Sequence, residues 1–203
     1  MIKNTILAIV IIVSGAPAME QVQVGVKGGI NIATVKYKKI GENTASVGYN
    51  AGLLARIRVT DGFFIQPEAQ YSLKGYRYNT NSSSGTGTTR LNYFTVPLLA
   101  GFNISDKFQG LIGPEFGYLV SANSVFAGNK TKINDLFEHF DWGLDLGATY
   151  KITNTLGIEA RYNFGFRGLI KGIVLEENGG LSTSTKDGAN RVFQAGLYYL
   201  FVK

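Results

Sequence analysis

Between Phe140 and Tyr150 the chain alternates without a break. Phe140, Trp142, Leu144, Leu146, Ala148 and Tyr150 fall on one side; Asp141, Gly143, Asp145, Gly147 and Thr149 fall on the other. A period of two marks a β-strand, whose successive side chains leave opposite faces. The run lies within FEHFDWGLDLGATY, residues 137–150. One face carries rings at both ends, and the other carries two carboxylates among glycines. A water-soluble sandwich buries the apolar face and wets the polar one. A membrane barrel reverses them, with apolar residues outward in lipid and aromatics at the two interfaces. One strand fits either fold, so the format of the other strands decides.

Seven more stretches alternate in the same way: Val22–Ala33, Ser46–Val59, Phe63–Leu73, Leu91–Ile104, Phe108–Val120, Leu156–Phe166 and Arg191–Phe201. Each has about the 9–11 residues that a tilted strand needs to cross a bilayer. Short turns fall at Thr60-Asp61-Gly62, Ser105-Asp106-Lys107 and Thr153-Asn154. Between them, residues 34–45, 75–90, 121–138 and 168–190 read as longer loops, 75–90 and 168–190 rich in polar residues, and 121–138 has room for a helical turn capped by Asn134. Proline has no N–H for the ladder, so Pro67 predicts a local break or bulge. Even strand number with alternating short and long connections is the outer-membrane format. A sheet in lipid has to close, because open edges leave backbone groups unpaired. The expected fold is therefore all-β: an eight-stranded antiparallel up-and-down transmembrane β-barrel with a polar, charged interior.

Parity assigns the faces. The aromatics expected against lipid are Tyr49, Phe63, Tyr71, Phe94, Phe102, Phe108, Phe116, Tyr118, Phe140, Trp142, Tyr150, Tyr162, Phe164, Phe166, Phe193, Tyr199 and Phe201. The inward phase carries the cations Lys27, Arg56, Arg58, Lys74, Arg161 and Arg167. It also carries the anions Glu68, Glu115, Asp141, Asp145 and Glu159. An eight-stranded barrel is just wide enough for its side chains to fill it. Many of the 26 glycines share the inward phase and make room for these long groups. Buried charges need partners, so the eleven predict an ion-pair network that plugs the lumen; a gated ion path is the less favoured reading of the same residues.

Residues 1–18 have the three parts of a secretory signal: Lys3, an apolar core over Ile6–Val13, and Ala16-Pro17-Ala18 as a cleavage site. Residues 19–203 are then the barrel domain, with its long loops outside the cell. No internal run reaches the roughly 18 apolar residues of a spanning helix. The chain has no Cys and one His, which removes thiol chemistry and makes a transition-metal site unfavourable; no cofactor is expected. His139 shares its parity with Asp141 and has Ser121 and Ser124 as conceivable neighbours, but no aligned nucleophile is fixed; the reading is non-enzymatic. GVKGG at 25–29 lacks the helix and the Gly-Lys-Ser/Thr ending of a phosphate loop. The net charge of +6 is scattered, without the basic stripe of a nucleic-acid binder. Lys36, Lys38, Lys39, Lys130 and Lys132 are loop cations; contact with anionic lipopolysaccharide is one reading, and solvation of a surface loop the plainer one.

The strand at 137–150, with GPEFGYL (113–119), QPEAQYSLKG (66–75) and ARYNFG (160–165), resembles the PorT-like outer-membrane β-barrel family of Bacteroidetes. The resemblance spans nearly the whole chain after residue 18. It implies an integral outer-membrane barrel of structural or accessory role. The family's namesake serves a protein-secretion pathway, but no residue motif carries that role here. Phe201 resembles the C-terminal aromatic signal read by the barrel-assembly machinery, although Val202 and Lys203 follow it. Three functions stay open: a membrane scaffold that displays loops, a narrow pore for ions or small solutes, and surface adhesion or recognition through loops 75–90 and 168–190.

Overall fold

A computed structural model describes residues 22–36, 44–79, 85–171, 174–175, 181–182 and 186–201. The expected signal segment, and the loop lysines Lys38 and Lys39, lie outside the described residues. Eight long strands build the wall: β1 Val22–Lys36, β2 Thr44–Arg58, β3 Phe63–Asn79, β4 Thr86–Asn103, β5 Phe108–Phe126, β6 Phe140–Lys151, β7 Leu156–Gly165 and β8 Ala189–Leu200. They pair antiparallel in the order β4-β3-β2-β1-β8-β7-β6-β5, and β5 returns to β4. The sheet therefore closes on itself, as a sheet in hydrocarbon must.

The closing seam is β1 with β8, in register from Gly25↔Leu200 to Lys36↔Ala189. Gly29 faces Gly196 there. A Cβ on Gly29 would stand 2.2 Å from the Ala195 carbonyl oxygen, and one on Gly196 2.4 Å from that of Gly28. The seam needs bare backbone at this pair.

The three short turns share one pattern. Val59 and Thr60 donate to the Phe63 carbonyl, Ile104 and Ser105 to that of Phe108, and Ile152 and Thr153 to that of Leu156. They lie at one end of the barrel with the start of β1 and the end of β8, where Phe201 N–H donates to the Val24 carbonyl.

At the other end the structure corrects several boundaries. Residues 75–90 are mostly strand: β3 runs to Asn79 and β4 begins at Thr86. β5 runs on to Phe126, turns through Ala127 (φ 47°) and Gly128 (φ 82°), and returns as a short strand, Asn129–Lys132. Two consecutive left-handed residues are the hairpin geometry that matches strand twist. Asn134 does not cap a helix. It opens a 3-10 turn, Asn134–Leu136, with Ile133 at the N-cap and no side-chain capping bond, while its Oδ1 accepts from Ala122 N–H at 2.8 Å. Residues 170–187 contain two short strand pairs, Ile170–Lys171 with Lys186–Asp187 and Val174–Leu175 with Leu181–Ser182.

Pro67 marks a local break and no bulge: pairing skips Gln66 and Pro67 against β2, and Glu68 and Ala69 against β4. Pairing with β2 and β4 keeps one register across it, and the shifts lie elsewhere, between Ala45 and Asn50 on β2 and at Asn92/Tyr93 against β5. The missing N–H interrupts the ladder locally without displacing its register.

The outer wall is apolar. Of the seventeen aromatics assigned to it, fifteen are exposed on the barrel surface; Tyr150 and Tyr162 are half-covered by Phe108 and Phe164, at ring separations of 5.0 and 4.5 Å. Cross-strand pairing links Tyr71, Phe94, Tyr118 and Phe140 into one row nearer the long-loop end. Phe63 pairs with Phe102, and Phe108 with Tyr150, nearer the short turns. Along β4 the two rows are eight residues apart, about 20 Å at about 3.3 Å per residue and a tilt near 40°. That is close to the height of an apolar belt in an outer-membrane barrel, about 25 Å.

Candidate functional site

Among the described residues, acidic and basic side chains converge in the lumen. Nine of the eleven charged residues that parity sent inward are buried there: Lys27, Arg56, Lys74 and Arg161 with Glu68, Glu115, Asp141, Asp145 and Glu159. Two are not. Arg58, the last residue of β2, is exposed at the short-turn end. Arg167 lies past the end of β7 at the opposite rim, half-buried, with its guanidinium 3.3 Å from Glu138 and 5.6 Å from the centre of the Phe140 ring. Parity reports which face a residue takes and not its height on the barrel, so residues at strand ends escape the interior. The expected six cations and five anions become four and five within the wall.

Arg161 is the hub and is fully buried. It reaches from β7 to Glu68 on β3, four strands away and so on the opposite wall. Nη2 donates to Glu68 Oε1 at 2.8 Å, and Nη1 to Oε2 at 3.1 Å. The same guanidinium donates to Glu159 at 2.8 Å and to Asp145 at 3.1 Å. Lys27, from β1, donates to Glu159 at 2.5 Å and to Glu68 at 3.2 Å. Gln66 and Gln70 complete the shell of Glu68, and Asn163 donates to Asp145 at 2.6 Å. A bidentate, charge-assisted fork fixes geometry as well as charge. The bond is a strut across the lumen.

Toward the long-loop end, Lys74 donates to Glu115 at 2.7 Å and stands 5.2 Å from the centre of the Tyr93 ring. Among the described residues Asp141 has no ion pair; it accepts from Asn190 at 2.7 Å. Nor, among them, does Arg56 have one. Its Nε and Nη2 donate to Gln66 Oε1, and its guanidinium sits between Phe64 and Tyr198, 4.6 and 5.0 Å from the ring centres. Those two rings lie over glycines: a Cβ on Gly101 would be 2.1 Å from Phe64, and one on Gly157 2.4 Å from Tyr198. The inward glycines here house aromatic partners for a cation, a role that charge counting alone does not show.

Above the polar centre the lumen turns apolar. Val35, Leu91, Tyr93, Leu119, Ala122, Phe137 and Leu169 form one buried cluster. Phe137 and Leu169 come from the connections after β5 and β7, held by Glu138 N–H to the Leu169 carbonyl and Leu169 N–H to that of Gly188. The reading of 121–138 and 168–190 as outward-facing loops missed this cap; the apolar residues within each follow no strand or helix period. The short-turn mouth is more open, with a cavity of about 270 Å³ walled by Arg56, Arg58, Asp61, Gln109 and Lys151 among others.

His139 lies outside this constellation. It precedes β6, is half-buried, and packs against outward-facing Tyr118 with ring centres 5.8 Å apart. Ser121 accepts from Asn92, and Ser124 pairs with Tyr78. The proposed neighbours are thus engaged elsewhere, and among the described residues no hydrogen bond joins either serine to His139. No group of three or more potential metal-ligating side chains occurs among the described residues.

Comparisons with known proteins agree with this architecture. The family model for the outer membrane protein beta-barrel domain matches residues 16–171. No curated protein matches the sequence. Among solved structures, Neisserial surface protein A superposes with a TM-score of 0.57 at 14% identity, covering 88% of this chain and 97% of that one. Ail, the attachment invasion locus protein of Yersinia pestis, superposes with a TM-score of 0.51 at 15% identity over 88% of this chain and 98% of its own. A second structure of Ail, in complex with the heparin analogue sucrose octasulfate, gives 0.50 at 13% identity, covering 89% of this chain and 99% of that one. At such identities the likeness is one of fold.

Proposed function

We propose, on the premise that this chain belongs to the outer membrane protein beta-barrel domain family, that it is a sealed, non-enzymatic scaffold of the outer membrane. Its long-loop end faces outward and its short turns face the periplasm. The observation that carries this reading is the Arg161–Glu68 strut between opposite walls, roofed by the apolar cluster around Leu91 and Phe137. A conducting path has to pass both. The PorT-like resemblance belongs to the same proposal: an accessory barrel whose work is done at its surfaces.

Single-channel recording on protein refolded into planar bilayers tests the seal. The expected result is no steady conductance at moderate voltage. A stable unitary current that Glu115→Gln or Arg161→Gln abolishes would establish the pore instead.

Recognition at the cell surface is the second reading, and one feature favours it. β3, β4 and β5 extend eight residues beyond the aromatic row at Tyr71, Phe94 and Tyr118, about 25 Å of strand at about 3.3 Å per residue. The Ail likeness is consistent with a display role. Shortening the hairpin over 76–89 should then remove partner binding while the barrel still folds.

A further inference from the structure

The projecting part of the wall carries a charge pattern that the sealed-scaffold reading leaves unused. Arg77 pairs with Thr88, and Thr88 with Val125, which faces Lys130 on the return strand. Arg90 pairs with Asn123, which faces Lys132. Cross-strand partners share a face, and positions two apart on one strand share it as well. Arg77, Arg90, Lys130 and Lys132 therefore stand on one face. All four are exposed, and none makes an ion pair within the described residues. That face is the outside of the barrel, since the alternate positions Gly87, Thr89 and Leu91 are buried. No carboxylate occurs at 75–79, 85–92 or 121–132.

Height selects the partner. Arg90 is four residues beyond Phe94 on the same strand, about 10 Å toward the loops at the tilt of such a strand. The aromatic row marks the edge of the hydrocarbon; Arg77, six residues beyond Tyr71, is about 15 Å above it by the same measure, and the cations come within reach of headgroups as their long side chains bend toward the membrane. A soluble polyanion would meet the tip of the hairpins; this face looks sideways, along the membrane plane.

We propose that Arg77, Arg90, Lys130 and Lys132 form a docking face for the phosphate groups of an outer-leaflet glycolipid, lipopolysaccharide in particular. Phosphates carry more than one negative charge and engage several cations together; guanidinium forks and ammonium points both serve. The proposal rests on the outward orientation of the long-loop end, which surface labelling of intact cells tests separately from the binding itself.

The test is binding of purified lipopolysaccharide to the full chain refolded in maltoside micelles, by calorimetry or native mass spectrometry. The expected result is saturable binding that falls at least tenfold with enzymatically dephosphorylated lipopolysaccharide. It should fall at least tenfold again in the fourfold variant Arg77→Gln, Arg90→Gln, Lys130→Gln, Lys132→Gln. These positions are exposed, and the heat-dependent gel shift of the folded barrel reports that the variant is intact. A variant with Lys107→Gln and Lys151→Gln, at the other end, should bind as the parent does. Equal binding by parent and fourfold variant would overturn the proposal, as would indifference to the phosphates. Binding of sucrose octasulfate without binding of lipopolysaccharide would overturn it too, and would assign the face to a soluble polyanion.

Discussion

Arg161 answers three carboxylates at once, which makes it the most consequential single residue in the wall. Arg161→Met leaves Glu68, Asp145 and Glu159 with Lys27 as the remaining cation bonded to them. Removing one partner of a buried charge pair costs about 3–5 kcal/mol, because an uncompensated charge stays inside. Urea unfolding of the refolded barrel should show a loss of that size, and Arg161→Met with Glu68→Gln should lose less than the sum of the two single changes. Strict additivity would mean that the strut does not couple the walls. Parity in the sequence was enough to send Arg161 and its carboxylates inward. It gave no pairing, because Glu68 and Arg161 lie 93 residues apart and meet only when the sheet closes. It also misplaced Arg58 and Arg167, whose heights depend on where each strand ends. That Arg56 is held by Phe64 and Tyr198 in place of a carboxylate depended on Gly101 and Gly157, each on the strand beside the ring it accommodates.

The alternation that defines each strand continues past the point where composition stops looking like a strand. Residues 75–90 are rich in Gly, Ser and Thr, yet β3 and β4 stay paired from Phe63↔Phe102 to Asn79↔Thr86. Backbone bonds between two neighbouring strands need no apolar side chains once the hairpin is anchored below. The short turns were legible because each is a small polar break between two strongly patterned runs. The cap was not, because Phe137 and Leu169 have no periodic neighbours to announce them. The outer face of β6 offers a depth test. Leu146 lies between Tyr150 and Phe140 on the same strand, whereas Ile104 lies at a short turn. Arginine at the bilayer midplane costs about 2–4 kcal/mol and near an interface about 0–1. Leu146→Arg should therefore destabilise the barrel in lipid vesicles by at least 1 kcal/mol more than Ile104→Arg; equal losses would place both at one depth.

At the scale of the whole molecule, the barrel inverts the arrangement of a soluble protein: rings and aliphatics outside, carboxylates and guanidinium groups within. The chain supplies its own probe, a single tryptophan on the outer wall, Trp142, 44% exposed and beside Phe166. In vesicles of brominated phospholipid its fluorescence should be strongly quenched, while aqueous iodide should leave it nearly untouched. Emission indifferent to the brominated chains but quenched by iodide would put Trp142 in water and contradict the inverted barrel.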